Sequence, residues 1–163
     1  MKRILFLIVL SSTLVVGQGA SGPSPHPTRK GDEQILQQAA FSPAVADVLV
    51  ARIGEGFAGH NRKALLSAFD KSDADDYAAI KEQVNAIMEA YRAFKIFYRV
   101  ESSSLNQDGT VGIRANFQIE QQPAAEGTIP FRRESELTLT AARTTNGWRV
   151  VSFSPASFLI ATE

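Results

Sequence analysis

Cysteine is absent, so thiol nucleophiles, disulfides and thiolate metal sites are excluded at once. Histidine, the usual proton-transfer side chain near neutral pH, occurs only at His26 and His60. His26 lies in a stretch rich in Pro, Gly and Ser, and neither histidine falls on an inward strand position. Asp70, Asp73, Asp75 and Asp76 crowd together as a calcium loop would, but the glycine and distal glutamate of an EF-hand are missing. Asp73, Asp75 and Asp76 read instead as negative charge at a helix start, with Ser72 and Asp75 forming a capping box. Asp70 has two readings. Buried against aromatics it is a general base, with a tyrosine such as Tyr98 as its acid partner; exposed, it is a helix-terminal surface group. No other acid/base set, metal site or cofactor site is expected.

Gly54 to Gly59, GEGFAG, spells GxGxxG. A dinucleotide site needs that motif between a strand and a helix. Here it closes a helix, so its glycines read as points of close helix packing or of helix unravelling. Tyr77, Tyr91, Tyr98, Phe117 and Trp148 all have inward phase. They are core residues or, with their hydroxyl and indole groups, the lining of a pocket for an apolar ligand.

The elements that position these residues are legible from periodicity. A short helical piece covers Glu33 to Ala40. Ser42 and Pro43 then open a helix whose Val45, Leu49, Ile53 and Phe57 share one face. A second short helix spans Arg62 to Phe69. A third begins at Ser72 and carries the stripe Tyr77, Ile80, Val84, Ile87, Tyr91 and Phe94. After Phe94 the period changes to two. Ile96, Tyr98 and Val100 oppose Phe97, Arg99 and Glu101; Val111, Ile113, Ala115, Phe117 and Ile119 oppose Gly112, Arg114, Asn116, Gln118 and Glu120. A loop from Gln121 to Gly127 leads to a strand from Ile129 to Arg143. Asn146-Gly147 predicts a two-residue type I′ turn before the last strand, Trp148 to Ser154.

The first twenty residues have the layout of an export signal. Lys2 and Arg3 precede an apolar run, Ile4 to Val16, and a cluster of small residues. The run is shorter than the roughly 20 residues a spanning helix needs. The expected organisation is a signal peptide at 1–20, a flexible tether at 21–32 and one domain at 33–163, secreted or periplasmic after cleavage and with no stable membrane span. Removing Lys2 and Arg3 from the 17 basic residues leaves 15 against 17 acidic, a net charge of −2. Such a domain lacks the basic excess of a nucleic-acid binder.

Three passages carry a family resemblance. They are Ala44 to Asp70 (AVADVLVARIGEGFAGHNRKALLSAFD), Tyr91 to Val100, and Gly147 to Ser154 (GWRVVSFS). In these and in its order of elements the chain resembles the NTF2-like (SnoaL-like, cystatin-like α+β) superfamily, as an exported bacterial member. The resemblance implies an α+β cone, with three helices against a curved four-stranded antiparallel sheet and a pocket at the wide end. The superfamily hosts isomerases, dehydratases, epoxide hydrolases, carriers and interaction modules, so the fold does not select an activity. No catalytic residue of the superfamily transfers to this chain. The expectation is a module that binds a small apolar ligand or an envelope protein; the alternative is an enzyme acting on a small hydrophobic substrate through a carboxylate/tyrosine pair. The outer sheet face, with Arg99, Arg114, Asn116, Gln118, Arg132 and Glu134 among Glu101, Glu120, Glu136 and Arg149, reads as cross-strand ion pairs or as a docking face. The resemblance implies homodimerisation through that face.

Overall fold

Proline suits a first helical turn because its fixed φ is already helical and its missing N–H has no role there. In the computed structural model, which describes residues 30–125 and 127–161, Pro43 begins helix α2, Pro43–Ala58. Ser42 stands at its N-cap position, but its hydroxyl turns to the Gln38 side chain (3.4 Å) and makes no cap. A shorter helix α1, Lys30–Leu36, precedes it, starting and ending earlier than expected. Helix α3, Arg62–Leu66, and helix α4, Tyr77–Ala90, complete the helical layer. The expected signal peptide lies outside the described residues.

The capping box expected at Ser72 is not formed. The N-cap of α4 is Asp76, held at φ 49°, and its carboxylate accepts the N–H of Ala79 (3.1 Å). The main-chain N–H groups of Ser72 and Asp73 go instead to Asp70 Oδ1.

Four strands follow, β1 (Tyr91–Leu105), β2 (Val111–Pro123), β3 (Phe131–Thr144) and β4 (Gly147–Ser154). They form one antiparallel meander in the order β1-β2-β3-β4. The last turn differs from expectation: Thr144 pairs with Gly147, so Thr145 and Asn146 make the turn and Gly147, at φ 87°, begins β4.

The sheet has one apolar face. Val111, Ile113, Ala115, Phe117 and Ile119 of β2 are buried while Arg114, Asn116 and Glu120 are exposed. The helices cover this face. Glycine allows them close: a Cβ on Gly56 of α2 would stand 2.6 Å from Leu65 Cα of α3, and one on Gly54 would enter the Tyr98 ring of β1. Gly54 and Gly56 of the GxGxxG run are therefore packing contacts, since a side chain at either would force the elements apart, while Gly59 caps the end of α2.

Candidate functional site

The inner face at the start of β1 and the end of β2 is where apolar alternation gives way to polar side chains. A bulge between Tyr91 and Ala93 inserts one residue into β1, so Tyr91 and Phe94 are both buried although three positions apart. Tyr91 pairs with Pro123, and Phe94 with Gln121. Across β2, Gln121 pairs with Phe131 and Ile119 with Arg133. Gln121 thus continues the inward phase of Ile119, flanked by Phe94 and Phe131, with Arg133 diagonal to it. Diagonal inner-face neighbours lie about 7–8 Å apart, within reach of long side chains.

Gln121 is fully buried, and neither atom of its amide has a hydrogen-bond partner. Leaving such a group unpaired costs about 1–3 kcal/mol. Arg133 is half-buried, its guanidinium donates to the main-chain carbonyls of Ser157 (3.4 Å) and Phe158, and its Nε is buried and unpaired. Burial presses the Arg133 pKa down from its ordinary value, opposed by the nearby Tyr91 phenol.

Aromatic rings enclose these groups. Phe57 of α2 packs edge-on to Phe94 at 5.2 Å between centroids. His60, just beyond α2 and held at φ 49°, stacks on Phe94 (5.8 Å) and donates through Nε2 to the Tyr91 carbonyl (2.8 Å). A 3-10 turn, Ala156–Leu159, folds back from β4 and inserts Phe158 between Phe57 (5.8 Å) and Phe117 (5.1 Å). Beside this cluster a recess of about 330 Å³ opens between Ala90, Tyr91, Pro123, Thr128, Ile129 and Phe131. Tyr91, Pro123 and Phe131 border both the recess and the Gln121 position. A second recess of about 250 Å³, at the start of α4, is lined by Asp75, Asp76, Ile80, Gln83 and Phe153 among others.

Of the pocket residues expected from sequence, only Tyr91 borders either recess. Phe117 is buried behind Phe158. Tyr98 is half-buried against Gly54 and Phe117, and its phenol is pushed up from its ordinary pKa by burial and by Glu55. Trp148 is buried at the opposite end of the sheet, edge-on to Phe41 (5.9 Å) and donating from its indole to Gln38 O (3.1 Å). Tyr77 is half-buried in the first turn of α4.

Asp70 is buried, not a surface group, because residues 68–70 add themselves to the free edge of β4: Asp70 N donates to Val150 O (3.0 Å) and Val150 N to Ala68 O (2.9 Å). Its Oδ1 accepts the N–H groups of Ser72 (2.8 Å) and Asp73 (3.0 Å). Its Oδ2 has no hydrogen bond of good geometry, although Thr144 and Asn146 stand close enough to favour charge there. Burial alone would raise the carboxyl, but the Ser72, Thr144, Asp73 and Asn146 donors outweigh it and hold Asp70 below its ordinary pKa. These donors come from residues 72–73 and the β3–β4 turn, whereas Tyr98 packs on α2 and β2. A carboxylate held charged in this way is a weak base.

Arg149 also departs from its expected place on the solvated outer face. It is an edge-strand residue with helices beside it, and its nearly buried side chain approaches Glu33 of α1 (3.7 Å). Arg52 of α2, 3% exposed, pairs with the same carboxylate at 2.9 Å. The outer-face residues themselves pair with one another: Arg99 with Glu101, Asn116 with Glu101 (2.8 Å), Arg114 with Glu136, and Arg132 with Gln118 (2.9 Å), while Glu134 is exposed beside them.

Gln121 and Arg133 were not singled out by sequence, and His60 was set aside because it lies on no inward strand position. The signal for Gln121 was present, since the alternation from Val111 to Ile119 places position 121 inward. Counting back from Leu137 through Ser135 likewise places Arg133 inward. Nothing in the sequence marks His60, which reaches the site through its left-handed backbone and the preceding helix.

The sequence matches no protein-family model and no curated protein. Solved structures do match. A ketosteroid isomerase-like protein from Erwinia carotovora atroseptica superposes with a TM-score of 0.58 at 12% identity, over 68% of this chain and 91% of its own. A scytalone dehydratase-like protein from Novosphingobium aromaticivorans gives 0.56 at 10% identity, over 66% and 77%. The intermembrane-space region of the chloroplast protein ARC6 gives 0.54 at 12% identity, over 71% and 96%. With its curved meander and helical cover, the chain has the NTF2-like fold, as the sequence resemblance implied. These identities establish the fold alone.

Proposed function

We propose that this protein is a binding module that takes a small apolar, aromatic ligand at the end of the cone built by Tyr91, Phe94, Gln121, Phe131 and Arg133. The observation that carries the reading is Gln121. A fully buried amide with neither atom paired costs stability, and such a group calls for a reason. A ligand seated against the rings of Tyr91 and Phe131 supplies one, because its own polar group pairs with the amide. Apolar walls with one or two convergent polar groups are the usual make-up of a small-molecule site. The similar solved structures carry names of an isomerase-like protein, a dehydratase-like protein and an intermembrane-space region of a chloroplast protein, so they favour neither chemistry. The Asp70 environment supports binding over acid/base turnover.

The test is calorimetric titration of the full chain with 2-naphthamide, a flat apolar probe bearing one amide. Saturable binding at one site, weakened about tenfold or more in Gln121→Leu, is expected; a tenfold loss corresponds to about 1.4 kcal/mol. The absence of saturable binding, or equal binding by the variant, contradicts the proposal.

A further inference from the structure

The group occupying the centre of this cone is part of the chain itself. The last described residues leave β4 at Ser154, run through Pro155 and form the 3-10 turn Ala156–Leu159. Phe158 is 2% exposed and Leu159 fully buried. The Phe158 ring meets Phe57 and Phe117 edge-on, with the Arg133 guanidinium 5.8 Å from its centroid. Its main-chain carbonyl accepts from the same guanidinium. Phe158 therefore offers Arg133 two things together, an aromatic ring and an acceptor oxygen.

The seating is incomplete. Arg133 Nε, on the guanidinium that meets Phe158, is buried without a partner, as are both amide atoms of Gln121 on the neighbouring strand. A neutral carbonyl also leaves the guanidinium charge without a counter-charge, whereas a carboxylate pairs with it through two oxygens at once. The 3-10 turn is short and held by few main-chain bonds, Phe158 N to Pro155 O (3.0 Å) and Ile160 N to Ser157 O (3.1 Å). Its hold on the cone therefore rests mainly on the buried Phe158 and Leu159 side chains and on the Arg133 guanidinium, the contacts a ligand would have to replace.

We propose that Phe158 is a built-in surrogate ligand, and that the protein's ligand is a small aromatic carboxylic acid that displaces the C-terminal turn. This rests on the binding reading above and names its ligand class and its control. The carboxylate takes the Arg133 donors, including Nε, and the Gln121 N–H; the ring takes the space between Phe57 and Phe117. The turn then competes with the ligand, and apparent affinity falls by the fraction of molecules in which the turn is docked.

The test compares 2-naphthoate with neutral 2-naphthamide on two chains, the full one and one ending at Ser154. The expected result is that 2-naphthoate binds about tenfold or more tightly to the shortened chain. On the full chain, 2-naphthoate should accelerate hydrogen exchange at the amides of Phe158 and Ile160. Arg133→Met in the shortened chain should abolish the preference for acid over amide. Equal affinity of both chains for 2-naphthoate, with the Phe158 and Ile160 amides still protected in its presence, overturns the surrogate while leaving the binding reading intact. Failure of both probes to bind either chain overturns both. If the shortened chain does not fold, exchange on the full chain is the test: unchanged or slower exchange at Phe158 and Ile160 on adding 2-naphthoate overturns the proposal.

Discussion

The ring of Tyr98 on β1 lies so close over Gly54 of α2 that a methyl group on the glycine would overlap it. This contact sets how near the long helix sits to the sheet. Gly54→Ala is expected to destabilise the fold by about 1–3 kcal/mol, the usual effect of overpacking, although alanine alone favours a helix by about 1 kcal/mol. Gly56→Ala should cost more, because the obstruction there is the Leu65 main chain, which cannot rotate away. Urea unfolding of the two variants checks this; a Gly54→Ala protein as stable as the parent contradicts it.

Asp70 ties residues 72 and 73 to the edge of β4, and its pKa is held below the ordinary value of 3.8. A carboxyl lowered in the folded state contributes stability that is present above its unfolded pKa and is lost as pH falls through the folded value. Asp70 should therefore contribute fully above about pH 5 and progressively less below the ordinary value near 4. Asp70→Ala should lose about 1–3 kcal/mol at pH 7, with a smaller difference from the parent at low pH. Thermal unfolding across pH 3–7 measures it, and a pH-independent difference would argue against the carboxylate's charge.

Glu33 faces two mostly buried arginines, Arg52 and Arg149. Removing one partner of a buried pair leaves the other charge uncompensated. Because Glu33 is itself 55% exposed, solvent screens part of the loss, and Glu33→Gln is expected to cost about 1–3 kcal/mol. The solvent-exposed pair Arg62–Glu89 is a control: Glu89→Gln should change stability by less than about 1 kcal/mol. Similar losses in the two variants would contradict the distinction.

Gln121→Leu should leave the protein as stable as the parent or more stable, by up to about 1 kcal/mol, while weakening ligand binding. Replacing an unpaired buried amide with an apolar group of similar size removes a desolvation cost, and a site kept for function at the expense of stability behaves in this way. A loss of more than about 1 kcal/mol would mean that the amide has a structural role.

Much of the sheet was legible because Phe94 to Val100 of β1 and Val111 to Ile119 of β2 alternate between a more buried and a solvated face, and that period of two survives in their residue types. The boundary between α4 and β1 was not. Tyr91 and Phe94 are three apart, which continues the helical stripe of Val84 and Ile87, yet the spacing comes from a bulge in the strand. Bulges leave no mark in residue type, so the count runs on in the wrong period. Arg149 was misplaced because β4 is an edge strand, where helices and residues 68–70 approach from the side. The site was hidden for a related reason. Gln121 and Arg133 are polar residues near strand ends, and without the register their phase is outweighed by their composition, which reads as loop and surface.

The most direct test of the central claim is the side-chain amide signal of Gln121 in ¹⁵N-labelled full-length protein during titration with 2-naphthamide. Binding at this end of the cone should give a saturable shift of that NH₂ pair, accompanied by shifts of Ile129 and Tyr91 at the neighbouring recess. A Gln121 signal that stays fixed while the probe saturates elsewhere, or a probe that perturbs no inner-face residue, would contradict it.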